Sequence, residues 1–160
     1  MGYCHLADIR NMVPDDILMQ LTIEENAGYI DTDVINNAIN IADNLINACC
    51  CPRFKVPFRP VPYLITYISA VFAVRNLLAM KFEKIPEIHE ERYKDARNML
   101  IGISKGKLIL GHPEAAKETD GRSTGKYSER CRALMEDYIR ARARSRPAKK
   151  RGIPFSGAIR

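Results

Sequence analysis

Apolar residues recur along this chain mostly with a helical period. Ile17, Leu18 and Leu21 stand at i, i+1 and i+4 behind Pro14, whose fixed φ suits a first helical turn. Asp15 and Asp16 would face the positive end of that helix dipole, so residues 6–21 predict two short helices. Val34, Ile35, Ala38, Ile39, Ala42, Leu45 and Ile46 share one face of a helix expected from about Asp33 to Cys50, capped by Asp31 or Thr32. Asn36, Asn37, Asn40, Asp43, Asn44 and Asn47 take the other face. That polar face carries little charge, which suits either water or a second subunit.

Pro52, Pro57, Pro60 and Pro62 then forbid helix until the last of them, which can sit in a first turn. Residues 61–82, VPYLITYISAVFAVRNLLAMKF, are strongly apolar and approach the length of a membrane span. Arg75 and Asn76 interrupt the run, Tyr63, Thr66, Tyr67 and Ser69 dilute it, and amphipathic helices flank it on both sides. The reading is the central helix of a bundle, with no membrane partner. After a break at Glu83 to Ile85, Pro86 opens a helix with the stripe Ile88, Arg92, Tyr93, Ala96, Met99, Leu100 and Ile103. Glu87, Glu90 and Glu91 precede Lys94 and Arg97, the order that suits the dipole and ion pairs along a helix. Gly106 is expected to end this helix in the left-handed region, and KLILG, residues 107–111, to be a short extended segment. A turn is expected at Asn26-Ala27-Gly28 and a polar linker over residues 112–126. A last helix, about Ser128 to Arg144, has one narrow apolar side of Tyr127, Cys131, Leu134, Tyr138 and Ile139. The predicted fold class is all-α. It is a small helical bundle with a long central apolar helix, a proline-rich loop and an extended basic C-terminal arm. Residues 1–111 form the helical domain, 112–126 the linker, and 127–160 the last helix and arm.

Charge sharpens this division. Residues 1–111 hold 12 Lys/Arg against 13 Asp/Glu, a balance of −1, and residues 112–160 hold 13 against 6, a balance of +7, which together make the net +6. The basic character belongs to the C-terminal third, the pattern of a near-neutral folded domain with a basic arm. The first residues, MGYCHLADIR, lack the basic and apolar regions of a signal peptide. Five cysteines, three of them adjacent, suggest reduced thiols rather than a disulfide framework, because neighbours bridge each other poorly.

No constellation for catalysis emerges. Placing Gly28 at the sixth position of a calcium loop puts Ile23 first and Val34 twelfth, and neither can ligate. His5, His89 and His112 sit in separate segments, and His89 among Glu87, Glu90 and Glu91 lacks metal-ligand spacing. Cys49, Cys50 and Cys51 cannot converge on one tetrahedral ion, and they follow a helix whose negative end works against a thiolate. Catalytic residues, metal ligands and cofactors are each expected to be none.

The C-terminal arm leaves two readings. Seven of the twelve residues from Arg140 to Arg151 are basic: Arg140, Arg142, Arg144, Arg146, Lys149, Lys150 and Arg151. They could hold phosphates, as in a DNA-binding protein acting through its tail. Ile153, Phe155 and Ile159 beyond them are apolar anchors that a pure DNA tail does not need, which favours docking on a protein surface.

The order of segments also resembles a family. YCHLADIRNMVPDDILMQLT, AGYIDTDVINNAINIADNLINACC, RFKVPFRPVPYLI and RYKDARNMLIGISKGKLILG follow one another as in the small head–tail adaptor family of Mu-like tailed bacteriophages, over residues 3–111. Cys49-Cys50-Cys51 and the tail after residue 115 depart from that pattern. The resemblance implies a virion protein of the head–tail junction, assembled in the host cytoplasm as a ring, a dodecamer by analogy, without an active site. Its partners would be the portal protein and a tail terminator or other neck protein, with DNA passing through the channel without sequence specificity. Asn36, Asn40, Asn44 and Asn47 on the polar helix face and Arg53, Phe54, Lys55 and Phe58 in the proline loop are the candidate subunit contacts. Residues 140–155 are the candidate docking arm for the portal or a neighbour.

Overall fold

The structure, a computed structural model, describes residues 2–22 and 30–111 together with Ala133, Glu136 and Asp137. The expected turn at residues 26–28, the linker at 112–126 and the arm at 140–160 lie outside the described residues. Of the last predicted helix, Ala133, Glu136 and Asp137 are described, and all three are helical.

The helices are α1 (Leu6–Arg10), α2 (Asp15–Thr22), α3 (Thr32–Cys50), α4 (Tyr63–Lys81) and α5 (Glu87–Ser104), with no strand among the described residues. The predicted all-α bundle is therefore what forms. Its boundaries follow local chemistry. Asp31 caps α3, its side chain accepting from the backbone N–H groups of Asp33 at 2.8 Å and Val34 at 3.3 Å, two donors that the helix itself cannot satisfy. Pro62 and Pro86 sit one residue before α4 and α5, where a missing N–H costs nothing. At the end of α5, Gly106 takes φ +72°, as expected. The N–H groups of Lys107 and Leu108 then both turn back to the Gly102 carbonyl, at 2.8 and 3.2 Å. Residues 107 and 108 thus close a helix instead of starting an extended segment.

α3, α4 and α5 run antiparallel in sequence. Asp43 of α3 meets Ser69 of α4, while Arg75 and Phe72 of α4 meet Glu90 and Tyr93 of α5. α4 packs on α1, α2, α3 and α5, and every residue from Ile68 to Val74 is buried. A helix that is apolar all round must be enclosed by something. α4 is long and apolar enough to cross a membrane by length and composition, and here the other helices cover most of it. Its interruption by Arg75 is accommodated inside the fold: the guanidinium lies 4.3 Å from the Tyr93 ring centroid and 3.2 Å from the Glu90 carboxylate.

Two pattern readings need correction. Asp43 was expected on the polar face of α3, yet it is buried because it faces the N-terminal segment. Ile88 was expected in the apolar stripe of α5, yet it is 52% exposed, while Tyr93, Ala96, Leu100 and Ile103 are buried as the stripe requires.

Candidate functional site

The proline loop, residues 51–62, is held from beneath by the N-terminal segment. Phe54 and Phe58 turn into the core, with ring centroids 5.7 Å apart, and Tyr3 stacks at a tilt on Phe58 at 5.8 Å. The Tyr3 hydroxyl accepts from the Phe58 N–H at 3.1 Å and donates to the Asn47 side-chain oxygen. The Tyr3 N–H donates to Asp43 at 2.8 Å, and the Ser69 hydroxyl donates to the other Asp43 oxygen at 2.6 Å. Ser69 also lies 3.3 Å from the Cys4 sulfur. Residues far apart in sequence thus share one buried polar network linking the N-terminus, α3, the loop and α4.

The electrostatics match this burial. Desolvation raises the Asp43 carboxyl above the usual carboxylate range, against the opposing pull of its hydrogen bonds from Ser69 and Tyr3. Burial likewise raises the Tyr3 phenol and pushes the Cys4 and Cys50 thiols up to about 12. Those thiols are poor nucleophiles in this state.

The predicted site residues separate into distinct groups. Asn36, Asn40 and Asn44 are exposed along α3, and Lys55 is exposed on the loop. Asn47 is half-buried and bonded to Tyr3, and Phe54 and Phe58 are core residues, so these three act inside the protomer. Arg53 is half-buried, 5.9 Å from the Phe54 ring centroid and close against Gly106. Arg140, Arg142, Arg144, Arg146, Lys149, Lys150, Arg151, Ile153 and Phe155 lie outside the described residues.

The structure adds what the pattern missed. A cleft of about 410 Å³ opens beside the loop, lined by Tyr3, His5 and Asp8 from the N-terminal segment and by Pro57, Phe58 and Arg59 from the loop. Arg59 is exposed at its edge. One signal pointed to this surface: no Asp or Glu occurs between Asp43 and Glu83, so the loop carries only positive charge.

The cysteines also differ from expectation. Cys4, Cys50 and Cys51 are free, but Cys49 is disulfide-bonded. Adjacency argues only against bonds among the three neighbours and says nothing of a more distant partner. Among the described residues no group of three His, Cys, Asp or Glu side chains is placed to hold a metal ion. His89 is half-buried, and burial, then the nearby Arg92, lowers its pKa.

A family model described as Bacteriophage Mu, Gp36 matches residues 3–129. The chain belongs to the Gp36 family of bacteriophage Mu. The match begins at the tyrosine that anchors the buried network and spans every helix from α1 to α5. The Gp36 family makes this a Mu-like phage protein and points to a structural or assembly component, associated with the virion and assembled in the host. No curated protein matches the chain.

Proposed function

We propose that this chain is a structural subunit of a phage head–tail connector ring, docking on the portal and linking it to the tail around the DNA channel. The observation that carries the reading is the Gp36 family match over a body whose described elements are all helices and whose long loop is locked to the core. A ring subunit must present two different, mutually complementary faces in fixed relation. A loop pinned by Phe54, Phe58 and Tyr3 keeps such a face in place without an ordering cost at assembly. Asn36, Asn40 and Asn44 on α3, with Lys55 and Arg59 on the loop, are the exposed contact candidates. The arm from Arg140 to Phe155 reaches the portal or a neighbouring subunit in this reading. A tail terminator or other neck protein binds the opposite side, and DNA passes through without sequence readout. No catalytic step, cofactor or metal takes part.

The test is a phage deleted for this gene product, with the lysate viewed by electron microscopy. DNA-filled heads and separate, unattached tails are the expected result; joined infectious particles would overturn the proposal. Purified chain mixed with the purified portal of the same phage should give a ring on one portal face. The basic run from Arg140 to Arg151 supports a second reading, a DNA-binding protein acting through its tail. Replacing Arg140, Arg142, Arg144 and Arg146 by Gln separates the two. If salt-dependent DNA binding disappears and portal docking is unchanged, the DNA reading gains.

A further inference from the structure

The two ends of the three-helix layer differ in chemistry. α4 has 19 residues, so its ends lie about 28 Å apart at 1.5 Å per residue. At its first end the proline loop carries Arg53, Lys55 and Arg59, and Gly106 lies against Arg53, which brings Lys105 and Lys107 to the same end. The cleft of about 410 Å³ opens here, walled by Pro57, Phe58 and Tyr3, with Arg59 exposed and Tyr63 nearby at 85% exposure. Asp8 also lines it from the N-terminal segment, one of its oxygens accepting from the His5 N–H at 2.8 Å, and its single negative charge is outnumbered by Arg53, Lys55 and Arg59 at this end.

At its other end the turn from α4 to α5 presents apolar side chains to solvent. Met80, Phe82 and Ile88 are all exposed there. Glu87 and Glu91, one helical turn apart and both exposed, stand beside Ile88 on α5. Lys81, Glu83 and Lys84 lie in or beside the turn itself, and Glu87 and Glu91 add negative charge on the first turns of α5. One end is therefore a concave apolar surface with a positive edge, and the other is a protruding apolar surface with a negative edge.

We infer that the cleft beside the proline loop receives the α4–α5 turn of a second copy of this chain, with Phe82 and Ile88 entering the cleft and Glu87 and Glu91 meeting Arg59 and Lys55. This rests on the ring reading above and names the contact that builds the ring. The contact is heterologous: each copy uses its loop end on one neighbour and its α4–α5 end on the other. Such contacts propagate, and they close into a ring when the rotation between copies permits. The apolar insertion supplies the burial, and the charged rims set the register and exclude a like-end approach.

The experiment is a charge swap in the full chain, read by sedimentation velocity alone and on purified portal, with circular dichroism to verify folding. Arg59→Glu and the pair Glu87→Lys with Glu91→Lys should each weaken self-association by about tenfold or more, the scale of a close interfacial charge pair. Mixing the two variants should restore assembly, because when they alternate both junctions of every copy again pair opposite charges. Ile88→Asp should weaken association without rescue by Arg59→Glu. If all variants assemble like the parent, this contact is wrong while the connector reading stands. If the α5 variant is rescued instead by Arg140→Glu with Arg142→Glu, the basic arm is the occupant and the inference falls. If the copies associate through this pair but never bind portal, the inference stands and the connector reading falls. A parent chain that stays monomeric in both settings removes both.

Discussion

Gly106 shows how one residue couples a helix end to a loop far away in sequence. Its φ of +72° suits glycine, and an added Cβ would run into the Arg53 guanidinium. Gly106→Ala should therefore destabilise the fold by about 1–2 kcal/mol from the backbone alone, with more from displacing Arg53, as read by the urea midpoint. Adding Arg53→Ala should recover the steric part and leave the backbone part. Asp43 gives the second residue-scale prediction. Its folded pKa is raised by burial, so the folded chain binds this proton more tightly than the unfolded chain does. The associated stability is fully present below the ordinary carboxylate range and is lost as pH rises through the raised value. Asp43→Asn should flatten that decline in a plot of stability against pH. Asp43→Ala removes the acceptor of the Tyr3 N–H and one partner of Ser69, and should cost about 1–3 kcal/mol at low pH.

At the scale of elements, α4 is the helix the others are built around. Ala70 and Ala73 are fully buried, where small side chains let neighbouring helices approach closely. Ala73→Leu should force its neighbours apart and cost about 1–3 kcal/mol in a denaturant titration. Much of this level was legible beforehand. Pro62, Pro86, Asp31 and Gly106 act through local chemistry, so each helix boundary could be read close to where it occurs. The enclosure of α4 followed from its apolar character on every side. Ile88 was misread because periodicity tells which way a side chain points but not how far along the helix a partner extends. KLILG was misread in part because the helix-closing bonds of Lys107 and Leu108 leave no hydrophobic signature.

At the scale of the molecule, the buried apolar side chains among the described residues form one cluster, from Tyr3 in the N-terminal segment to Ile103 at the end of α5. A single core predicts a single cooperative transition. Thermal unfolding followed by far-UV circular dichroism and by tyrosine fluorescence should give coincident curves; separated midpoints would mean that the N-terminal segment and loop melt on their own. At this scale too, the candidate site was only partly readable. Arg53, Phe54, Lys55 and Phe58 were all placed in one contact surface, but the loop turns Phe54 and Phe58 inward and leaves Lys55 and Arg59 outward. Four prolines announce an irregular, stiff segment without saying which side chains face the core.

The sequence alone determined the helices, their boundaries, the central position of α4 and the division between a near-neutral body and a basic C-terminal third. Those properties depend on neighbours within a few residues or on composition, and both are written directly in the chain. Only the tertiary structure decided that Asp43 is buried, that Tyr3 bolts the proline loop to α3, and that a cleft lies at one end of the bundle and an exposed apolar turn, beside the acidic start of α5, at the other. These depend on contacts between residues separated by 40 or more positions, such as Tyr3 with Asp43 and Phe58 with Tyr3. No local period encodes such pairings; they exist only once the helices have packed.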